Sequence, residues 1–207
     1  MSIDEALLET ARMPTIRFYS WLSRALSFGY FGKFSDVAIY AAERDLVRRW
    51  TGGGIVFHGA DLTYSIVIPA NDPVFDESSI AIYERIHRAL AHALKGIGKH
   101  AELVGSARCA DRTPQRGVPN NCFANPVRAD VMMDGRKIAG AAQRRTRLGL
   151  LQQGSIQGVA MKADVVENFT QTLSTNCNEF EINEQILHRA RQLAQQKYGT
   201  ESWLRKR

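Results

Sequence analysis

Three consecutive glycines stand inside Arg48-Arg49-Trp50-Thr51-Gly52-Gly53-Gly54-Ile55-Val56-Phe57-His58. Glycine has no Cβ and loses more conformational entropy on folding than any other residue, so three in a row imply that something approaches the backbone closely. That something is a packed segment or a ligand. Two arginines, a threonine and a histidine surround the turn, which a plain flexible hairpin does not require, and they favour a ligand. The turn is not a phosphate loop. Gly54 and Gly59 have the right separation, but Ala60 stands where that motif needs a lysine. Gly-x-Gly-x-x-Gly fails too, because its last glycine would fall on Phe57.

Around this turn the hydrophobic pattern predicts a mixture of strands and helices. Ile3, Ala6, Leu7 and Ala11 share one helical face over residues 3–11. Thr15–Trp21, Leu26–Tyr30, Leu46–Trp50 and Ile55–Pro69 read as strands, and Asp36–Arg44 as a short helix. Glu77–Lys95 is the clearest helix, with Ile82, Ile86, Ala89, Leu90, Ala93 and Leu94 on one face and Gly96 at its end. Glu102–Val104 reads as a short strand. Val127–Met133, Lys137–Arg145 and Gly149–Gln157 read as three successive strands, with Asp134-Gly135 as a hairpin turn. Asn183–Tyr198 is helical and precedes a basic end. With no strict βαβ alternation, the fold class is α+β, a mixed β-sheet with flanking helices. At 207 residues the chain reads as a single domain, residues 1–207.

Gly105–Pro126 has no periodicity and is rich in Gly, Pro, Asn and Arg. A patternless stretch of this length inside a compact domain is usually functional or mobile. It carries Cys122, followed by Phe123, and a second cysteine, Cys109. A loop cysteine can meet a substrate, whereas a buried one is inert. Cys177 reads as structural. Three cysteines with no close pair exclude a disulfide framework and fit a reducing cytoplasm. The net charge of +6 suits an acidic partner, but no basic block carries the interleaved aromatics of a nucleic-acid platform. No apolar run approaches the ~20 residues that span a membrane. His87 with His92, His100 and His188 lack metal-ligand spacing, so no metal is expected.

The strand after Asp134-Gly135 is Arg136-Lys137-Ile138-Ala139-Gly140-Ala141-Ala142-Gln143. Alternation places Lys137, Ala139, Ala141 and Gln143 on one face and Ile138, Gly140 and Ala142 on the other. Small residues leave room for a chain or ligand on this strand, and the lysine offers a positive charge beside it.

The two glycine segments together resemble the lipoate-protein ligase and octanoyltransferase family, relatives of biotin protein ligase. Arg48 through His58 meets its Arg-Arg-x-Ser/Thr-Gly-Gly-Gly-x-Val-x-His pattern, continued by Asp61-Leu62-Thr63-Tyr64-Ser65. Gly135 through Gln143 meets its second block, Gly-Arg-Lys-Ile-x-Gly-x-Ala-Gln, and Asp4–Leu8 with Arg17-Phe18-Tyr19-x-Trp21 resembles its start. The resemblance implies a catalytic core like that of class II aminoacyl-tRNA synthetases. It also implies a tunnel for a medium-length acyl chain, with Arg49, Thr51, Gly52, Gly53, Gly54, His58, Gly140 and Gln143 binding the substrate and Lys137 on the acyl carbonyl. Two departures stand out: Gln153 replaces a histidine before Gly154-Ser155, and Ala129-Asp130 replaces Tyr-Glu or Asn-Asp before the second block.

Within this family, one octanoyltransferase branch uses a cysteine that precedes a Phe and lies 15 residues before the lysine. Cys122 fits it (137 − 122 = 15), and Cys109 does not. The resemblance therefore implies an acyltransferase with Cys122 and Lys137 as catalytic residues. It would take octanoyl or lipoyl from acyl carrier protein to a lysine of a lipoyl-accepting domain, an H protein or dehydrogenase E2 subunit, without cofactor. Arg144, Arg145 and Arg147 would meet the acidic carrier. The alternatives are a lipoate ligase that consumes ATP with Mg and is indifferent to Cys122, an octanoyl amidotransferase, and a non-catalytic acyl-binding protein.

Overall fold

A computed structural model of the chain describes residues 1–105, 126–160 and 162–206. Nine strands form two sheets among these residues. The larger sheet has the order β1-β5-β9-β8-β7-β6: β1 is Thr15–Tyr19, β5 Leu62–Pro69, β9 Gly149–Ile156, β8 Arg136–Arg145, β7 Val131–Met133 and β6 Ala101–Leu103. All its neighbours are antiparallel. The smaller sheet has the order β3-β2-β4, with β3 Asp45–Arg48 parallel to β2 Ala25–Phe28, and β4 Val56–Phe57 antiparallel to it. The expected α+β class and flanking helices hold, and the parallel pairing that makes the fold mixed is confined to β2 and β3.

One face of the large sheet packs on α2 (Ser79–Gly96) and α3 (Ala163–Leu173) through Tyr64, Ile66, Ile68, Ile82, Leu90, Leu94 and Phe169. Ser78 caps α2, its hydroxyl accepting from the Ala81 N–H at 3.2 Å. Part of the other face, at Val67 and Leu151, is covered by α1 (Ser2–Thr10) and α4 (Glu184–Leu193) through Leu7, Leu8, Ile186 and Leu193. The rest of that face lies under the smaller sheet. A short α5, Glu201–Leu204, ends the described chain.

Several expectations are corrected. Ile55–Pro69 is not one strand. The Asp61 carboxylate accepts from the Gly59 N–H at 3.0 Å and lies 2.7 Å from His58 Nδ1, closing a tight turn that passes the chain from β4 in one sheet to β5 in the other. Asp36–Arg44 is a pair of single 3₁₀ turns, Phe34–Asp36 and Ala38–Tyr40, rather than a helix. The strand expected from Val127 starts at Val131. Helix α3 was not anticipated, since only Val165 and Phe169 are buried on it. Among the described residues no helix is long and apolar enough to cross a membrane.

Candidate active site

The pairing register aligns one row of residues across four strands: Tyr19 opposite Thr63, Thr63 opposite Ser155, and Ser155 opposite Gly140. These residues floor a narrow cavity between the two sheets. Trp21, Ser27, Arg49, Val56 and His58 wall it on the side of the smaller sheet, and Lys137, Ala141 and Ala142 on the other. The strand of small residues supplies the room, as its composition predicts.

Lys137 sits at the Gly140 end. A Cβ on Gly140 would lie 2.6 Å from the Lys137 ammonium nitrogen, so the absence of a side chain there is what admits the lysine. Its ammonium pairs with Asp130 at 2.7 Å, and both side chains are buried. Asp130 also accepts from the Tyr83 hydroxyl and the Val127 N–H. Burial and this carboxylate push the Tyr83 phenol far above its ordinary range, which keeps it a neutral donor. Asp130, which keeps an acidic residue before the second block, is thus the charge partner of Lys137. Strand alternation grouped Lys137 with Gln143, but pairing slips by a residue between β7 and β8, with Val131 opposite Ala139 and Met132 opposite Lys137. Lys137 therefore reaches the cavity, while Gln143 turns to the opposite face and donates to Gln152 at 2.7 Å.

The glycine turn stands behind the cavity wall. The Arg49 guanidinium donates to the carbonyls of Gly52 (3.1 Å) and Gly54 (2.7 Å) and to the Ser27 hydroxyl (2.6 Å). Ser27 Oγ lies 2.6 Å from His58 Nε2, and His58 Nδ1 2.7 Å from Asp61. Burial would raise the Asp61 carboxyl, but hydrogen bonds from His58, Ser155 and the Gly59 N–H outweigh it and hold it at about 2. Trp21 stacks on His58 at 4.2 Å. The Ser27–His58–Asp61 chain has the connectivity of a nucleophile, base and orienting carboxylate. Its serine, however, is buried and already takes an Arg49 N–H, so it acts as a brace that carries order from Asp61 to the glycine carbonyls.

Close approach at the turn comes from Gly29, a position composition alone did not mark. A Cβ there would fall 2.1 Å from the Gly53 carbonyl oxygen. Gly53 itself has φ +85°, a left-handed value that favours glycine. Thr51 is buried and donates to Gln153 at 2.8 Å, while Gln153 donates to Asp4 at 2.7 Å. Gln153 thus ties the turn to α1. Cys122 and Cys109 lie outside the described residues. Of the three arginines expected to meet a carrier, Arg144 lies between the Tyr30 and Trp50 rings and Arg145 donates to the carbonyls of Phe75 and Glu77, whereas Arg147 is exposed.

The sequence pattern of the lipoyl protein ligase A/B catalytic domain matches residues 1–194. Octanoyltransferase LipM of Macrococcus caseolyticus is 38% identical over 165 residues, 75% of this chain and 60% of that protein. LipM of Brevibacillus brevis is 34% identical with the same coverage. The chain therefore spans about 60% of the length of these relatives. In fold it is similar to protein Ta0514 of T. acidophilum, a putative lipoate protein ligase solved with bound lipoic acid, with a TM-score of 0.74, 22% identity, and coverage of 98% of this chain and 91% of that one. A lipoate-protein ligase A bound with ATP gives 0.75 at 23% identity, over 98% of this chain and 91% of that one. With its pattern matched over nearly the whole length, the chain belongs to the lipoyl protein ligase A/B catalytic domain family.

Proposed function

We propose that residues 1–207 form one catalytic domain that moves an octanoyl group, in the cytoplasm, from an acyl carrier protein thioester to a lysine of a lipoyl-accepting domain. The relatives named octanoyltransferase support the reaction class. The observation that carries it to this chain is the cavity in which Lys137, paired with Asp130, overhangs a strand of Gly and Ala. In this reading an apolar chain lies along the small residues with its carbonyl at the lysine's positive charge.

In this reading the Cys122 thiolate attacks the thioester carbonyl. A new C–S bond forms, the carrier's thiol leaves with its electron pair and takes up a proton, and the octanoyl group rests on Cys122. The acceptor's neutral amine then attacks that thioester, an amide forms, and the Cys122 thiol is regenerated. The Lys137 ammonium favours the negative charge that develops on the carbonyl oxygen in both steps. Arg49, Thr51, the Gly52–Gly54 turn and His58 shape the acyl path, and no cofactor is consumed.

The flanks of the segment that carries Cys122 support this placement. The Val104 N–H donates to the Asp130 carbonyl and the Ala129 N–H to the Val104 carbonyl, so both flanks sit beside the partner of Lys137. Cys122 is four residues from Pro126, a reach of at most about 14 Å.

The test is intact-mass measurement after incubation with octanoyl carrier protein and no ATP. A hydroxylamine-labile adduct of one octanoyl group, absent in Cys122→Ser, is expected. ATP-dependent lipoylation of an acceptor that survives Cys122→Ser would instead assign a ligase.

A further inference from the structure

Between α2 and the cavity runs a set of buried polar groups that the transfer steps leave unused. Tyr83 and His87 stand one helical turn apart on α2, with ring centroids 4.3 Å apart. Both are buried. A buried polar side chain needs partners, and these two reach the segments that carry Asp130 and Lys137.

The Tyr83 hydroxyl is engaged on both sides. It accepts from the Ala141 N–H at 2.9 Å and donates to Asp130 Oδ1 at 2.5 Å. Strand β7 pairs with β8 only as far as Ala139, so Tyr83 answers an N–H on β8 that β7 no longer covers. With both roles filled, the phenol has one orientation. Asp130 Oδ2 accepts from the Val127 N–H and pairs with the Lys137 ammonium, each at 2.7 Å. Both carboxylate oxygens are therefore pinned. Tyr83 ties the carboxylate to the residue that follows Gly140, over which the end of Lys137 lies.

The backbone beside Asp130 is held from the same helix. Ala129 is buried and has φ +65°, a left-handed value that a residue with a Cβ adopts only where its surroundings enforce it. Its carbonyl lies 2.7 Å from His87 Nδ1, and its N–H donates to the Val104 carbonyl at 2.9 Å. A carbonyl only accepts, so Nδ1 carries the proton, and Nε2 accepts from the Tyr64 hydroxyl at 2.8 Å. The strained residue thus sits immediately before the partner of Lys137. One helical turn of α2 grips both, the backbone through His87 and the carboxylate through Tyr83.

We propose that Tyr83 is a positioning residue for acyl transfer, which with His87 aims Asp130, and through it the Lys137 ammonium, at the acyl carbonyl. The proposal rests on the transfer reading above, which puts the carbonyl at Lys137. Neither α2 side chain touches the acyl group. They fix where the positive charge stands when negative charge develops on the carbonyl oxygen.

The test follows formation of the acyl adduct by intact mass, in single turnover with octanoyl carrier protein at increasing concentration. Tyr83→Phe keeps the ring and removes the hydroxyl. Its maximal rate is expected to fall about 10- to 100-fold, the size of a small misplacement at the reacting centre, with the half-saturating carrier concentration unchanged. His87→Leu frees the Ala129 carbonyl and leaves Tyr83 in place. It should show the same split, and it carries the test if Tyr83→Phe does not fold. On a Lys137→Met background neither substitution should slow the reaction further, because the group they aim is gone. Maximal rates within about twofold of wild type, a loss shared between rate and half-saturation, or a full further loss on the Lys137→Met background would overturn the proposal. A wild-type adduct that Lys137→Met slows and Tyr83→Phe does not sinks this proposal alone. A wild type that forms no adduct, or whose rate ignores Lys137→Met, sinks the transfer reading and the proposal together.

Discussion

The contact between Gly29 and the glycine turn gives the sharpest mutational expectation. Alanine at position 29 places a methyl 2.1 Å from the Gly53 oxygen and 2.6 Å from the Gly52 carbonyl carbon and oxygen. Ordinary contact begins near 3.4 Å, so the turn must retreat by 3.4 − 2.1 = 1.3 Å. Every colliding atom is backbone, so no rotamer change relieves the clash. Retreat also strains the bonds from Arg49 to Gly52 and Gly54 and from the Tyr30 N–H to the Thr51 carbonyl. Overpacking costs about 1–3 kcal/mol and one lost hydrogen bond about 1 kcal/mol, so Gly29→Ala should cost about 3 kcal/mol. For a chain of this size that lowers the melting temperature by roughly 6–12 °C. Gly52→Ala is the internal control. Its Cβ would meet nothing within 4 Å and its φ is not left-handed, so its melting point should stay within about 2 °C of wild type. Differential scanning calorimetry of the three proteins decides. If Gly29→Ala melts with wild type, or Gly52→Ala falls as far as Gly29→Ala, the packing account of the turn is wrong.

Two further expectations concern buried polar groups. His87 lies between the Tyr64 hydroxyl (2.8 Å) and the Ala129 carbonyl (2.7 Å), and burial holds its imidazole at about 4, below its ordinary 6.5. Between those values the unfolded chain binds a proton that the folded one does not. Stability is therefore complete above pH 6.5 and falls by about 3 kcal/mol as the pH drops to 4. Urea melts across that range should show the slope, and His87→Gln should flatten it. Arg48 is buried and donates to the carbonyls of Tyr30, Gly32, Leu204 and Lys206, so its planar fork ties the end of the described chain to the glycine-turn strand. Arg48→Lys keeps the charge but not the fork, and should cost about 3 kcal/mol in urea denaturation. A loss under about 1 kcal/mol would mean that the tail is held elsewhere.

What was legible in the sequence follows the range of the interactions involved. The long helix α2 could be read because its apolar period lies within a single stretch. The β7–β9 meander could be read because Asp134-Gly135 punctuates it. Helix α3 was missed because two buried residues, Val165 and Phe169, make too short a period. The break between β4 and β5 was missed because an apolar run continues on both sides of it. What divides them is the side chain of Asp61, folded back on its own backbone.

The site divides along the same line. That the triglycine turn meets something close was legible from glycine chemistry, but its neighbour, Gly29, lies 24 residues earlier (53 − 29 = 24) and bears no local mark. Lys137 and Asp130 are both visible as charges, yet strand period alone put the lysine with Gln143. Only the slip in pairing with β7 carries it to the cavity. Motifs thus report the turn behind one wall of the cavity and the lysine on the other, and what lies between them is set by the register of four strands.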